Sequence, residues 1–175
     1  MKQTLILFIL LNTSLSYSQN ETTSTKLFTK NIDSIQFSIW DIQTKEMSTA
    51  SSEEKEYEKE YEKELGSVTL SNKDKDLLIT NLLNPKSYNG KSALLYHYNL
   101  IFDLYKNDSI SVIVKISTLT GNITIDNKVS GVYFRNNCTL QFGEVLIALL
   151  DYYDFSNYFN EVHLNGITDH TTTED

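Results

Sequence analysis

The sequence predicts an α+β fold: an antiparallel β-sheet, built as a meander of three or four strands, with two or three helices packed on one face. Three observations carry this. Two long β-prone runs, residues 93–105 and 109–118, are joined by Lys106-Asn107-Asp108, which has the composition of a hairpin turn. Apolar residues recur at helical spacing before Asn84-Pro85 and again over residues 140–153. The order strand, helix, helix, several strands, helix suits helices laid against one face of an antiparallel sheet.

In chain order, Lys2 and the unbroken apolar run over residues 5–11, followed by small and polar residues to Ser16-Tyr17-Ser18, have the pattern of a cleavable signal peptide over residues 1–18. That run falls far short of the roughly 20 residues a membrane-spanning helix needs. No stable membrane insertion is expected after cleavage, and the destination is periplasm, cell surface or medium. Residues 19–30, rich in Thr and Ser, are expected to form a flexible leader. A single domain is expected over residues 31–163, followed by a disordered polar tail over residues 164–175.

Within the domain, Ile35, Phe37 and Ile39 alternate with Ser34, Gln36 and Ser38, the period of a half-buried strand. The repeated Lys-Glu-Tyr-Glu over residues 53–65 places Tyr57, Tyr61 and Leu65 on one face of a charged helix, with Ser51 and Ser52 before it and Gly66 after it. Ser71 with Asp74 three residues on opens an apolar helix carrying Leu78 and Leu82, and Asn84-Pro85 stops it, because the residue before proline avoids the helical region. After the hairpin, Thr120-Gly121-Asn122 turns the chain into Ile123-Thr124-Ile125, and residues 126–134 continue as a loop or an edge strand. Thr139 stands before a last helix whose Phe142, Val145, Leu146, Leu149 and Leu150 form a broad apolar face.

The whole chain carries a net charge of −8; losing Lys2 with the signal peptide leaves 14 basic against 23 acidic residues, or −9. Such a surface repels nucleic acid and anionic membranes at long range. Cys138 is the only cysteine, so no disulfide forms within one chain and the fold depends on apolar burial.

Leu82-Leu83-Asn84-Pro85-Lys86-Ser87-Tyr88-Asn89-Gly90-Lys91, followed by a strand containing Leu95-Tyr96-His97-Tyr98, a hairpin and a closing helix, resembles a set of uncharacterised exported proteins of Bacteroidota. Ser18-Gln19-Asn20 also looks like their signal junction. Those proteins tend to carry a Cys-x-x-Cys pair after the hairpin turn; here that stretch reads Lys115-Ile116-Ser117-Thr118-Leu119-Thr120. The resemblance implies a fold and export, and without the cysteines it implies no metal or redox role.

Chemistry-bearing residues are few. His97, between Tyr96 and Tyr98, is the imidazole best placed to act as base or ligand, although no Ser, Cys or carboxylate stands at a recognised catalytic spacing from it, and a structural histidine is the commoner case. His163 and His170 with Asp169 would hold a metal only if the tail folded back, so no metal or cofactor is assigned. Asp151 and Asp154 at the end of the last helix read as a solvated helix end. Asp33-Ser34-Ile35 and Asp108-Ser109-Ile110 resemble the O-glycosylation sequon of that bacterial group, with Ser109 the more accessible serine. The expected function is a non-enzymatic binding or interaction module of the cell envelope or secreted fraction. It would contact a protein or envelope partner through Tyr96, Tyr98 and Tyr105 or through the Tyr57/Tyr61 stripe. The alternative is a hydrolase or metal-assisted enzyme centred on His97.

Overall fold

The computed structural model describes residues 27, 31–41, 63–90 and 97–168. They form six strands, β1 (Ser34–Asp41), β2 (Lys63–Thr69), β3 (Leu100–Lys106), β4 (Ser109–Ile116), β5 (Asn122–Asn127) and β6 (Val132–Asn137). Three helices accompany them, α1 (Asn72–Leu83), α2 (Leu140–Tyr152) and the short α3 (Glu161–Leu164). All neighbouring strands are antiparallel, in the order β2-β1-β3-β4-β5-β6. The four-stranded meander β3 to β6 lies where the sequence places it, and β1 and β2 extend it on one side. The α+β class is therefore the observed one.

Parity decides the core. Ile35, Phe37 and Ile39 of β1 stand in register with Leu104, Phe102 and Leu100 of β3, and these with Val112, Val114 and Ile116 of β4. All nine are buried, and they share one cluster with Leu78 and Leu82 of α1 and Phe142, Leu146, Leu149 and Leu150 of α2. Phe37 stacks on Phe102 with ring centroids 4.5 Å apart and meets the edge of Phe155 at 5.4 Å. The β3–β4 turn is a two-residue connection with positive φ at both Asn107 and Asp108, the geometry whose twist matches a hairpin. Ser71 caps α1 by accepting from the Asp74 N–H, and Asn84 ends it in extended backbone before Pro85. Thr139 occupies the N-cap of α2, but its hydroxyl donates to the Lys86 carbonyl rather than capping the helix.

Several expectations are corrected. The charged helix expected over residues 53–65 meets the described residues only at 63–65, and these belong to β2. Pairing with β1 supplies the backbone hydrogen bonds that a fraying helix end lacks, and it lets Leu65 and Val68 pack against the core. Of residues 19–30 only Leu27 is described; it is 2 % exposed and its carbonyl accepts from Asn127 Nδ2. The tail expected to be disordered from residue 164 stays packed through Thr168. Ile167 is buried and the Gly166 N–H donates to the Thr118 carbonyl. His97 lies outside any strand, since β3 begins at Leu100. The signal peptide, the rest of the charged segment with Tyr57 and Tyr61, Tyr96, Asp169 and His170 lie outside the described residues. Among the described residues no helix is long and apolar enough to cross a membrane.

Candidate functional site

One end of the sheet carries a cleft of about 120 Å³ lined by residues from five parts of the chain. Trp40 and Asp41 close β1, Leu65 comes from β2, His97 and Asn99 precede β3, Thr118 and Leu119 follow β4, and Tyr158, Phe159 and His163 come from the C-terminal segment. A β-bulge helps to shape it. Ile39 pairs with Gly66 and Trp40 with Glu64, which leaves Leu65 as the extra residue of the edge strand. Such an insertion bends the strand and re-aims its side chains.

The floor is a closed hydrogen-bond network. Asn99, 3 % exposed, donates from Nδ2 to Thr118 Oγ1 at 2.6 Å and accepts at Oδ1 from the Thr118 N–H at 2.9 Å. Its backbone N–H donates to the Ile116 carbonyl, and its carbonyl accepts from the Trp40 N–H. Asn99 thus fixes the end of β1 against the end of β4. The Thr118 hydroxyl donates to the His163 carbonyl, which holds α3 at the same level. Buried amides and hydroxyls that satisfy one another in this way specify a geometry, because leaving one unpaired costs about 1–3 kcal/mol.

The walls are held separately. The Trp40 indole donates to Ser38 Oγ at 2.9 Å. Tyr158 ends a 3₁₀ turn, Ser156–Tyr158, and Phe159 continues in extended backbone. Asn160 then caps α3, accepting from the His163 N–H at 2.9 Å while its own N–H reaches His163 Nδ1. The cap makes His163 a positioned side chain although it is exposed. In the lining, Leu119 and Tyr158 are 42 and 50 % exposed.

The residues singled out in the sequence are placed unevenly. His97 lines the cleft, exposed, with His163 and Asp41 in the same lining. Tyr98 is half-buried, and its hydroxyl oxygen is shielded from solvent. Tyr105 is half-buried on the sheet face opposite the core residues Phe102 and Leu104, in register with Ser34. Ser109 is exposed at the start of β4, whereas Ser34 is half-buried and followed by the fully buried Ile35. Asp151 and Asp154 close the end of α2: Asp151 accepts from the Ser156 hydroxyl and Asp154 from Asn157 Nδ2. Cys138 is 3 % exposed at the end of β6, away from the cleft lining, and burial pushes its thiol up to about 12. A buried thiol held in its protonated form is a poor nucleophile. Among the described residues no group of three or more His, Cys, Asp or Glu is arranged to hold a metal ion.

Trp40, Tyr158, Phe159, Asn99 and Thr118 escape sequence reasoning. Trp40 alone left a signal. Its parity sets it with the polar residues Gln36 and Ser38, where a large aromatic is out of place unless something contacts it. Comparison with family models, curated protein sequences and solved structures finds no match to this chain.

Proposed function

We propose that this chain is an exported, non-enzymatic binding module of the cell envelope or secreted fraction, and that the cleft at the end of the sheet is where it contacts its partner. The observation that carries the reading is the convergence of Trp40, Tyr158 and Phe159 with His97, His163 and the exposed Leu119 on one small concavity. Aromatic side chains with a polar handle supply contact area at low entropic cost, which is why they concentrate at recognition sites. Size argues for anchoring rather than engulfing. Sites that enclose a whole small molecule span about 300–1,000 Å³, and this cleft, at about 120 Å³, admits one ring or one branched group. Export rests on the apolar run near Met1 and on the likeness to exported proteins of Bacteroidota.

A second reading, a hydrolase centred on His97, is favoured by the presence of Asp41 and His163 in the same lining. It has a weaker basis, because the hydroxyl in the floor, Thr118, is completely buried and engaged with Asn99 and the His163 carbonyl.

Trp40 is the only tryptophan in the chain, so its emission reports on the cleft alone. Titration with indole, phenol, choline, benzoate and glucose should give a saturable change for at least one of them. If none moves the emission of the folded protein, the cleft is not a binding site. Ester or peptide turnover that is lost in His97→Ala would replace this reading with the enzymatic one.

A further inference from the structure

We propose that the group taken by the cleft is an organic cation, specifically a quaternary or fully methylated ammonium. The proposal rests on the cleft being a binding site and adds the chemistry of what enters it. Three aromatic side chains, Trp40, Tyr158 and Phe159, line about 120 Å³. The face of an aromatic ring carries the negative part of its quadrupole and attracts a cation, most strongly when the cation is poorly hydrated. The volume is near the roughly 150 Å³ that encloses a benzene-sized guest, so a trimethylammonium group fits and a larger cofactor does not.

Charge points the same way. Among the described residues no Lys or Arg lines the cleft, and Asp41 is the carboxylate in its lining. On the adjacent strand Glu64 stands opposite Trp40 and Lys63 opposite Asp41, and neither is in the lining. An anion would face Asp41 on a chain of net charge −8. A neutral ring would cover the same carboxylate without compensating it, a desolvation cost that a cation avoids.

The floor favours a ligand without hydrogen-bond donors. The Asn99 amide donates to the Thr118 hydroxyl and accepts from the Thr118 N–H, and the hydroxyl donates to the His163 carbonyl. A primary ammonium would lose water without gaining these partners, whereas a quaternary ammonium has no N–H to satisfy. His97 and His163 complete the lining.

The test uses the full chain at low ionic strength and about pH 8, with Trp40 emission as the readout and sodium chloride matching the salt added. Choline is titrated beside its neutral carbon isostere, in which a tert-butyl group replaces the trimethylammonium. Choline should bind saturably and about fivefold or more tighter than the isostere, as a cation–π contact of about 1 kcal/mol implies. Asp41→Asn, and separately Tyr158→Leu at the exposed rim, should each narrow the preference for choline over the isostere, with far-UV circular dichroism confirming the fold of each. An isostere that binds as tightly as choline overturns the cation while leaving the binding reading intact. Silence from choline also overturns it, and silence from indole and phenol as well takes the binding reading down with it.

Discussion

Gly143, Gly166 and Gly121 hold the C-terminal segment against the rest of the molecule by having no side chain. A Cβ on Gly143 would stand 1.9 Å from the Ile167 carbonyl oxygen, and one on Gly166 would stand 2.2 Å from the Gly121 nitrogen. Neither neighbour can move aside, because both are backbone. Gly121 adds a positive φ of 71° and would meet the Gly166 carbonyl oxygen at 2.4 Å. The segment carries Tyr158, Phe159 and His163 into the cleft, so the glycines act on the site from a distance. Gly143→Ala should destabilise the protein by about 3 kcal/mol in urea denaturation, since an overpacked backbone contact has no cheap relaxation. Gly131→Ala is the control. It also has positive φ but opens on free space, so its cost should be near 1 kcal/mol, the left-handed penalty alone. Equal costs at the two positions would mean that the close approach at Ile167 does not hold the segment.

Two helices are joined at their ends by a polar latch. The Tyr153 hydroxyl, just past α2, accepts from the Ser71 N–H at 2.9 Å and donates to Asp74 Oδ2 at 2.7 Å, while the Ser71 hydroxyl donates to the same carboxylate oxygen at 2.6 Å. The Ser71 hydroxyl first, and the Tyr153 hydroxyl second, hold the Asp74 carboxyl below its ordinary value of 3.8. A carboxyl whose folded value is depressed contributes stability that is present above the unfolded value and lost as pH falls through the folded one. Part of the acid limb of the stability curve, below about pH 4, should therefore belong to this latch. Because the group is largely solvated, screening keeps that part small. Tyr153→Phe should cost about 1–2 kcal/mol near neutral pH, for two hydrogen bonds, and should flatten the acid limb. Urea midpoints measured from neutral pH into the acid range decide it: an acid limb unchanged in Tyr153→Phe would show that Asp74 draws nothing from the tyrosine.

At the scale of the whole molecule, one apolar layer between sheet and helices carries the stability. Cys138, the only cysteine, is buried and its thiol is suppressed, so cohesion comes from residues such as Phe37, Phe102 and Phe142, all fully buried. The proposed export has a prediction of its own. Intact mass measurement of the chain recovered from envelope and medium should find it lacking residues 1–18, starting at Gln19. A full-length chain retained in the cytoplasm would remove export from the proposal while leaving the cleft as it is.

Signals confined to a single segment could be read from the sequence. The parity of Ile35, Phe37 and Ile39, the Ser71 cap, the Asn84-Pro85 stop, the Asn107-Asp108 turn and the apolar face of α2 each follow from backbone geometry within one element, and together they determine the α+β class. Tertiary pairing decided what those signals do not contain. β2 is strand because its backbone pairs with β1, although it has little buried surface of its own, and the charge pattern running into it reads as helix. Leu27 and Ile167, which lie in short stretches without helical or strand periodicity, are buried because the sheet and the backbone of Gly143 offer them a place. The cleft is tertiary throughout. Residues 40, 65, 97, 119 and 158 share no period or motif, and they meet because strand register, one bulge and the Asn99–Thr118–His163 hydrogen bonds bring five chain segments to the same end of the sheet.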